Sequence, residues 1–189
     1  MEILKKRIVL EGKVIGGDTL KVDMFLNHQI DVGLLEEIGK EFYTRFADEN
    51  INKILTVEAS GIGIACIAAQ QFSVPVVFAK KGVHRNVGND IFTSDVYSFT
   101  KGENTVIGMS REYICSDDRV LIIDDFLANG GAVNGLISII EQAGATLCGV
   151  GIVIEKGFQR GGTSLREKGV PIESLAIIKS MKDGKIEFV

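Results

Sequence analysis

Two adjacent carboxylates, Asp124 and Asp125, close the apolar run Val120-Leu-Ile-Ile123 and are followed by the turn Asn129-Gly130-Gly131. Such a run reads as a buried strand that delivers the chain through a glycine turn into a helix. Backbone N–H groups at a helix start converge on an anion, the helix dipole adds to the attraction, and glycine leaves no Cβ in the way. Two carboxylates would repel a bare phosphate. They make sense beside it if they bind the hydroxyls of a sugar that carries the phosphate, or a metal bridging to it, and a phosphorylated ribose satisfies both halves. Taken alone, the same residues also describe an ordinary strand-to-helix turn opened by Asp.

A second candidate anion site follows an earlier apolar run. In Glu58-Ala-Ser-Gly-Ile-Gly63 the amides and the Ser60 hydroxyl can receive another anionic group, although tight helix–strand packing would use the same Gly-x-Gly. Lys80 and Lys81 end the next strand, where a cationic pair can neutralise charge gathering on a leaving group; two solvated lysines would look the same. Lys156-Gly157-Phe158 places an ammonium next to an aromatic face. An ammonium only donates hydrogen bonds, so it suits the carbonyl of a 6-oxopurine and disfavours an exocyclic amine, while Phe158 can stack on the ring. Asn27 offers donor and acceptor together, and Leu20 an apolar contact; on residue type alone Asn27 also reads as a turn former and Lys156 as a surface residue.

The segment from Val120 to Ala132 resembles the signature of the type I phosphoribosyltransferases: an apolar strand, two acids, a few small or apolar residues and a glycine turn. Asn129 and Ala132 stand where hydroxyl residues are usual in that signature. The similarity extends along nearly the whole chain to the bacterial branch that acts on xanthine. It is carried by Leu20 to Asp31, Val76 to Ala79, Tyr97 to Lys101, Asp124 to Gly130 and Gly151 to Lys156. In that branch the Asn-Gly turn is the norm, while Arg is frequent at the position of Lys80 and Gln at that of Gly131.

The resemblance implies transfer of the 5-phosphoribosyl group from 5-phosphoribosyl 1-diphosphate (PRPP) to xanthine, with Asp124 and Asp125 at the ribose. It places Ala128, Asn129, Gly130, Gly131 and Ala132 on the 5-phosphate, and Ser60, Lys80 and Lys81 on the diphosphate. Leu20, Asn27 and Lys156, with Phe158 beside them, form the xanthine pocket. It further implies magnesium held mainly by PRPP and water rather than by a protein cage, a flap that closes over the substrates, and a homodimer. Neighbouring readings are transfer to hypoxanthine, guanine or adenine, or a non-catalytic PRPP sensor of the kind found among repressors. The sensor should carry an added basic DNA-binding domain, and only about 30 residues precede the main helix.

The elements that must position these groups follow from periodicity. Asp31 to Asp48 carries Leu34, Leu35, Ile38, Phe42 and Phe46 at helical spacing, with Asp31 placed to cap. Strands are expected at Lys53–Val57, Val74–Ala79, Val120–Asp125, Thr146–Glu155 and Ser174–Lys179, with an Ala-rich helix to about Phe72 and another from about Gly131 to Ala143. Uniformly apolar strands alternating with helices predict a mostly parallel twisted α/β sheet covered on both faces. From about residue 80 to 110 the apolar pattern fades around Asp95–Thr100, which reads as a mobile two-stranded flap. The family pattern adds a small base-binding hood from residues 1–30 and 156–189.

The bulk properties fit one such domain. The chain has 189 residues, 46% of them hydrophobic and 24% charged, and two prolines, so neither disorder nor a fibre is indicated. The formal charge of −4 has no like-charge block behind it, which argues against a nucleic-acid footprint or a polybasic membrane patch. Apolar runs such as Gly149 to Ile154 are far shorter than the roughly 20 residues that span a bilayer, and the N-terminus is too charged for a signal peptide. A cytoplasmic protein is expected. Three scattered cysteines and two histidines make a zinc site or disulfide framework improbable.

Overall fold

The computed structural model describes residues 1–82, 90–98, 103–182 and 184–189. Helix α1 (Glu2–Glu11) and the small hairpin β1 (Lys13–Ile15) and β2 (Thr19–Lys21) open the chain, followed by a π-helical turn at Asp23–Asn27. Helix α2 (Val32–Arg45) starts where the sequence predicts: Asp31 accepts a hydrogen bond from the Leu34 amide at 3.1 Å, which satisfies one of the free N–H groups of the first turn. Its apolar stripe, Leu34, Leu35, Ile38 and Phe42, is buried.

Strand β3 (Lys53–Val57), helix α3 (Ser60–Phe72), strand β4 (Val76–Lys81), the hairpin β5 (Ile91–Ser98) and β6 (Glu103–Ser110), and strand β7 (Arg119–Leu127) come next. Helix α4 (Gly131–Ala143), β8 (Thr146–Lys156), α5 (Arg160–Glu167), β9 (Ile172–Lys182) and β10 (Lys185–Phe188) complete the chain. One eight-stranded sheet runs β10-β9-β8-β7-β3-β4-β6-β5, and its five central strands are parallel. Along β7, Leu121 and Ile123 pack with α2 and α3, and Val120 and Ile122 pack with α4. Alternate residues therefore feed two separate cores, which is why the strand reads as continuously apolar. Among the described residues no helix is long and apolar enough to cross a membrane.

The excursion from 80 to 110 contains two strands that join the sheet: β6 pairs with the end of β4, Lys80 opposite Gly108 and Lys81 opposite Ile107, and β5 pairs with β6 over its full length. Phe92, Val96, Ile107 and Met109 are buried and join the α4 core. Alternation over so few apolar residues is masked by the polar positions between them. Residues 83–89 and 99–102, the rest of the expected flap, lie outside the described residues. Helices α1 and α5, the β1–β2 hairpin and β10 go beyond what periodicity predicts. Each is short, and α1 buries only Leu4 and Ile8.

Candidate functional site

Strands β3, β4, β7 and β8 all end at one edge of the sheet, and the candidate residues collect there. After β7 the chain passes through Gly130, whose φ of 82° is left-handed, into α4. The Gly130 carbonyl accepts from the Asn134 amide at 2.9 Å and from Asn134 Nδ2 at 2.8 Å, so it is fixed from inside the helix. Among the described residues no side chain caps α4. Its first amides are therefore free to meet an anion. They open onto a cleft of about 460 Å³ whose lining includes Lys81, Tyr97, Phe126 and every residue from Ala128 to Ala132. The Tyr97 carbonyl comes so close that a Cβ on Gly131 would sit 3.0 Å from it.

Asp124 is 4% exposed, and its Oδ1 accepts from the Asp125 amide at 3.0 Å. Burial, then the charge and hydrogen bond of Asp125, push the Asp124 carboxyl well above the ordinary carboxylate range; the Lys81 ammonium opposes this only in part. Burial thus favours the neutral form of Asp124 beside a second carboxyl group.

The second loop is shorter than the sequence implies. Ser60 is already the first residue of α3, so only Glu58 and Ala59 connect it to β3, and Gly61 and Gly63 lie within the helix. Gly61 is where the two halves of the site meet: a Cβ there would overlap Thr56 Oγ1 and approach Asp124 Oδ1 to 3.2 Å. The α3 N-terminus, which has no side-chain cap, is thereby brought against Asp124. Glu58 Oε1 accepts from the Lys81 amide at 2.6 Å and ties the end of β4 to the same loop.

Lys80 and Lys81 end β4, as expected, but neighbours on a strand point to opposite faces. Lys81 lines the cleft beside residues 128–132, whereas Lys80 lines an apolar groove on the other side with Val76, Phe78, Met109 and Tyr113.

On the base side, Lys156 ends β8 and its Nζ donates to the Asp18 carbonyl at 2.7 Å, latching the β1–β2 hairpin over the strand end. Burial lowers the Lys156 ammonium from its usual range, with Asp18 countering. Leu20 sits in the same hairpin but is 5% exposed and packs in the core with Leu4 and Ile8. Asn27 is exposed at the end of the π-helical turn, and Phe158 is exposed at the turn after β8. The structure thus lines one cleft with Lys81 and the 128–132 loop, sets Asp124 against Gly61 in the first turn of α3, which Ser60 opens, and links Lys156 to the hairpin of Leu20. Sequence reasoning misses Thr56, Gly61, Asp18 and the packing of Gly161 on the phosphate loop. Only the run Arg160-Gly161-Gly162 carries a signal, as two glycines where a helix begins.

Comparison with known proteins agrees with this geometry. The family model of the phosphoribosyl transferase domain matches residues 21–179. A xanthine phosphoribosyltransferase of Ruminiclostridium cellulolyticum is 61% identical over 188 residues, covering 100% of this chain and 99% of that protein. One of Bacillus cytotoxicus is 56% identical, with 100% of this chain and 96% of that protein covered. Among solved structures, an adenine phosphoribosyltransferase of Giardia lamblia complexed with 9-deazaadenine superposes with a TM-score of 0.77 at 21% identity, over 92% of this chain and 96% of that one. At that identity the match speaks for the fold alone. Matched by the family model over most of its length, and by xanthine phosphoribosyltransferases from end to end, this chain belongs to the phosphoribosyltransferase family.

Proposed function

We propose that the protein converts xanthine and PRPP to xanthosine 5′-monophosphate and pyrophosphate, a purine salvage reaction. The observation that carries this reading is the end-to-end identity with xanthine phosphoribosyltransferases, joined to a strand that carries two adjacent carboxyl groups up to a cleft lined by Lys81 and an uncapped helix start. A bond forms between a purine nitrogen and the anomeric carbon, the bond from that carbon to the diphosphate oxygen breaks, and the purine gives up its N–H proton.

No protein nucleophile is required. The anomeric carbon becomes cationic as the diphosphate departs, so positioning and electrostatics are the protein's contribution. The amides of residues 128–132 hold the 5-phosphate, and Asp124 and Asp125 bind the ribose hydroxyls and favour the positive charge. Ser60, the α3 amides and Lys81 receive the diphosphate; Lys80 stands on the far face and would join them only through a rearrangement of β4 or from another subunit. Magnesium enters with PRPP, and the hard oxygens of Asp124 and Asp125 are the donor type it prefers. When bound, it would offset the charge of the diphosphate.

Lys156 donates to the xanthine 6-oxo group, with Phe158 against the ring and Asn27 and Leu20 completing the hood that residues 1–30 and 156–189 build on a single domain. The groove lined by Val76, Phe78, Met109 and Tyr113 is the face we assign to a homodimer, because Phe78 and Tyr113 are exposed there. The cytoplasm is the compartment in this reading, consistent with Cys66, Cys115 and Cys148 as free thiols. The test is nucleotide formation from PRPP and magnesium with xanthine, guanine, hypoxanthine or adenine supplied separately. Dominant turnover of xanthine is expected, and preference for adenine would overturn the assignment of the base pocket.

A further inference from the structure

Directly behind the phosphate loop lies an ion pair between a buried carboxylate and an exposed guanidinium, with no part in the chemistry above. Glu155 is 3% exposed at the end of β8, and Arg166 of α5 donates to it through both arms of the guanidinium, Nη1 to Oε1 and Nη2 to Oε2, each at 2.7 Å. Ser174 of β9 donates a short hydrogen bond to the same carboxylate. Burial alone would raise the Glu155 carboxyl, but the bonds from Arg166 and Ser174 outweigh it and hold it below the ordinary range.

Two consecutive glycines let α5 reach both partners. A Cβ on Gly162 would overlap Glu155 Oε1 and stand 2.7 Å from Arg166 Nη1. A Cβ on Gly161 would overlap the Ala128 carbonyl and lie 2.6 Å from the Gly130 amide nitrogen. The Gly161 amide itself donates to the Ala128 carbonyl at 3.1 Å, and Leu165 covers Gly130 from the same helix. One end of α5 is therefore backbone against backbone with the phosphate loop, and the other is held to the sheet by a planar two-point fork.

Such a pair adds little stability, since burial of Glu155 costs desolvation and solvent screens the 39% exposed Arg166 side chain. A bidentate fork instead fixes an angle. We infer that Glu155, Arg166 and Ser174 form a positioning device that sets α5, and through Gly161 the backbone of Ala128–Gly130, in the geometry that receives the 5-phosphate. This rests on the phosphate-loop assignment above. None of the three side chains touches substrate in this scheme.

The experiment uses Gly161→Ala, which displaces α5 without altering a charge, and Arg166→Met with its conservative counterpart Arg166→Lys. Steady-state kinetics with PRPP and xanthine varied in turn are joined to calorimetric binding of ribose 5-phosphate and to melting curves. Both disruptive variants are expected to raise KM for PRPP about tenfold or more, the scale of a small misplacement in a binding loop. They should leave KM for xanthine within about threefold and weaken ribose 5-phosphate to match the PRPP effect. Arg166→Lys should recover part of the loss. A fall in Tm with unchanged KM and unchanged ribose 5-phosphate affinity would overturn the inference, as would equal losses for both substrates. If the native protein binds ribose 5-phosphate but does not turn over xanthine, the functional reading fails alone, and the binding measurements still decide this one.

Discussion

Replacing Asp124 by Asn should make the protein more stable and much less active. Burial and Asp125 favour the neutral form of the Asp124 carboxyl, and Asn is its neutral isostere: its Oδ1 keeps the bond from the Asp125 amide, and its Nδ2 can donate to Asp125. The folded Asp124 carboxyl holds its proton more tightly than the unfolded one. Its contribution to stability is therefore full below the unfolded value near 3.8 and is lost as pH rises through the folded value. A neutral side-chain amide at this position has no such loss, so the advantage of the variant should grow from about pH 4 upward and level off once Asp124 ionises. Removing the cost of keeping a buried carboxyl at a pH where the unfolded chain ionises it, on the order of 1 kcal/mol, would raise Tm by about 2–4 °C for a chain of this size. Turnover should fall in the opposite sense, by about 10²–10³, the usual cost of deleting one group that stabilises transition-state charge. Melting curves across pH, paired with kcat at saturating PRPP and xanthine, read both effects. A variant that melts lower than the native protein at neutral pH would refute the buried-acid argument, and one that turns over normally would remove Asp124 from the ribose site. Asp125→Asn should lower turnover similarly.

Lys81→Met should raise KM for PRPP about tenfold, the scale of one lost charge-assisted hydrogen bond, with little change in KM for xanthine; this is read by varying PRPP at fixed xanthine. Equal effects on the two substrates would place Lys81 elsewhere. Lys156→Met should raise KM for xanthine about tenfold and also release the Asp18 carbonyl of the β1–β2 hairpin from the end of β8, which amide exchange at residues 13–21 would report as faster opening. Gly130→Ala forces a side chain into a left-handed φ of 82° and should lower stability by about 1 kcal/mol or more while weakening ribose 5-phosphate binding. Calorimetry with ribose 5-phosphate checks it, and intact affinity would show that the loop tolerates another path.

The parts of the molecule that periodicity and turn chemistry control are legible in the sequence. Helix α4 begins and ends at the residues anticipated, because Gly130 and Gly144 punctuate an amphipathic run and both adopt left-handed φ. Strand β7 and its two acids are readable because burial on both faces leaves no polar position inside the run. The cleft residues follow from the same segment. What local pattern cannot convey is which face of a strand a residue occupies when the flanking apolar signal is weak. Lys80 and Lys81 look equivalent until β6 fixes the register of β4, and only then does one cation point into the cleft and the other away. Helix α5 is hidden for a related reason. It buries little beyond Gly161, Gly162 and Leu165, so its hydrophobic signal is carried by a single large side chain.

These hidden contacts have a common physical form. At Gly61, Gly131 and Gly161 the chain approaches another segment more closely than a Cβ would comfortably permit, and the neighbours met there are Thr56 and Asp124, the Tyr97 carbonyl, and the Ala128–Gly130 backbone. Each juxtaposition joins a different element at the same end of the sheet: α3 to the acids, β5 to the start of α4, and α5 to the 128–130 loop. A glycine in a sequence signals permission for close approach but not its destination, which is long-range information. The site is consequently assembled at these three joints, with side-chain chemistry supplied by β4, β7 and β8. That arrangement accounts for why residues remote from the substrate, such as Arg166, can bear on how the phosphate is held: the loop has little packing of its own, and its shape is set by whatever is pressed against its back.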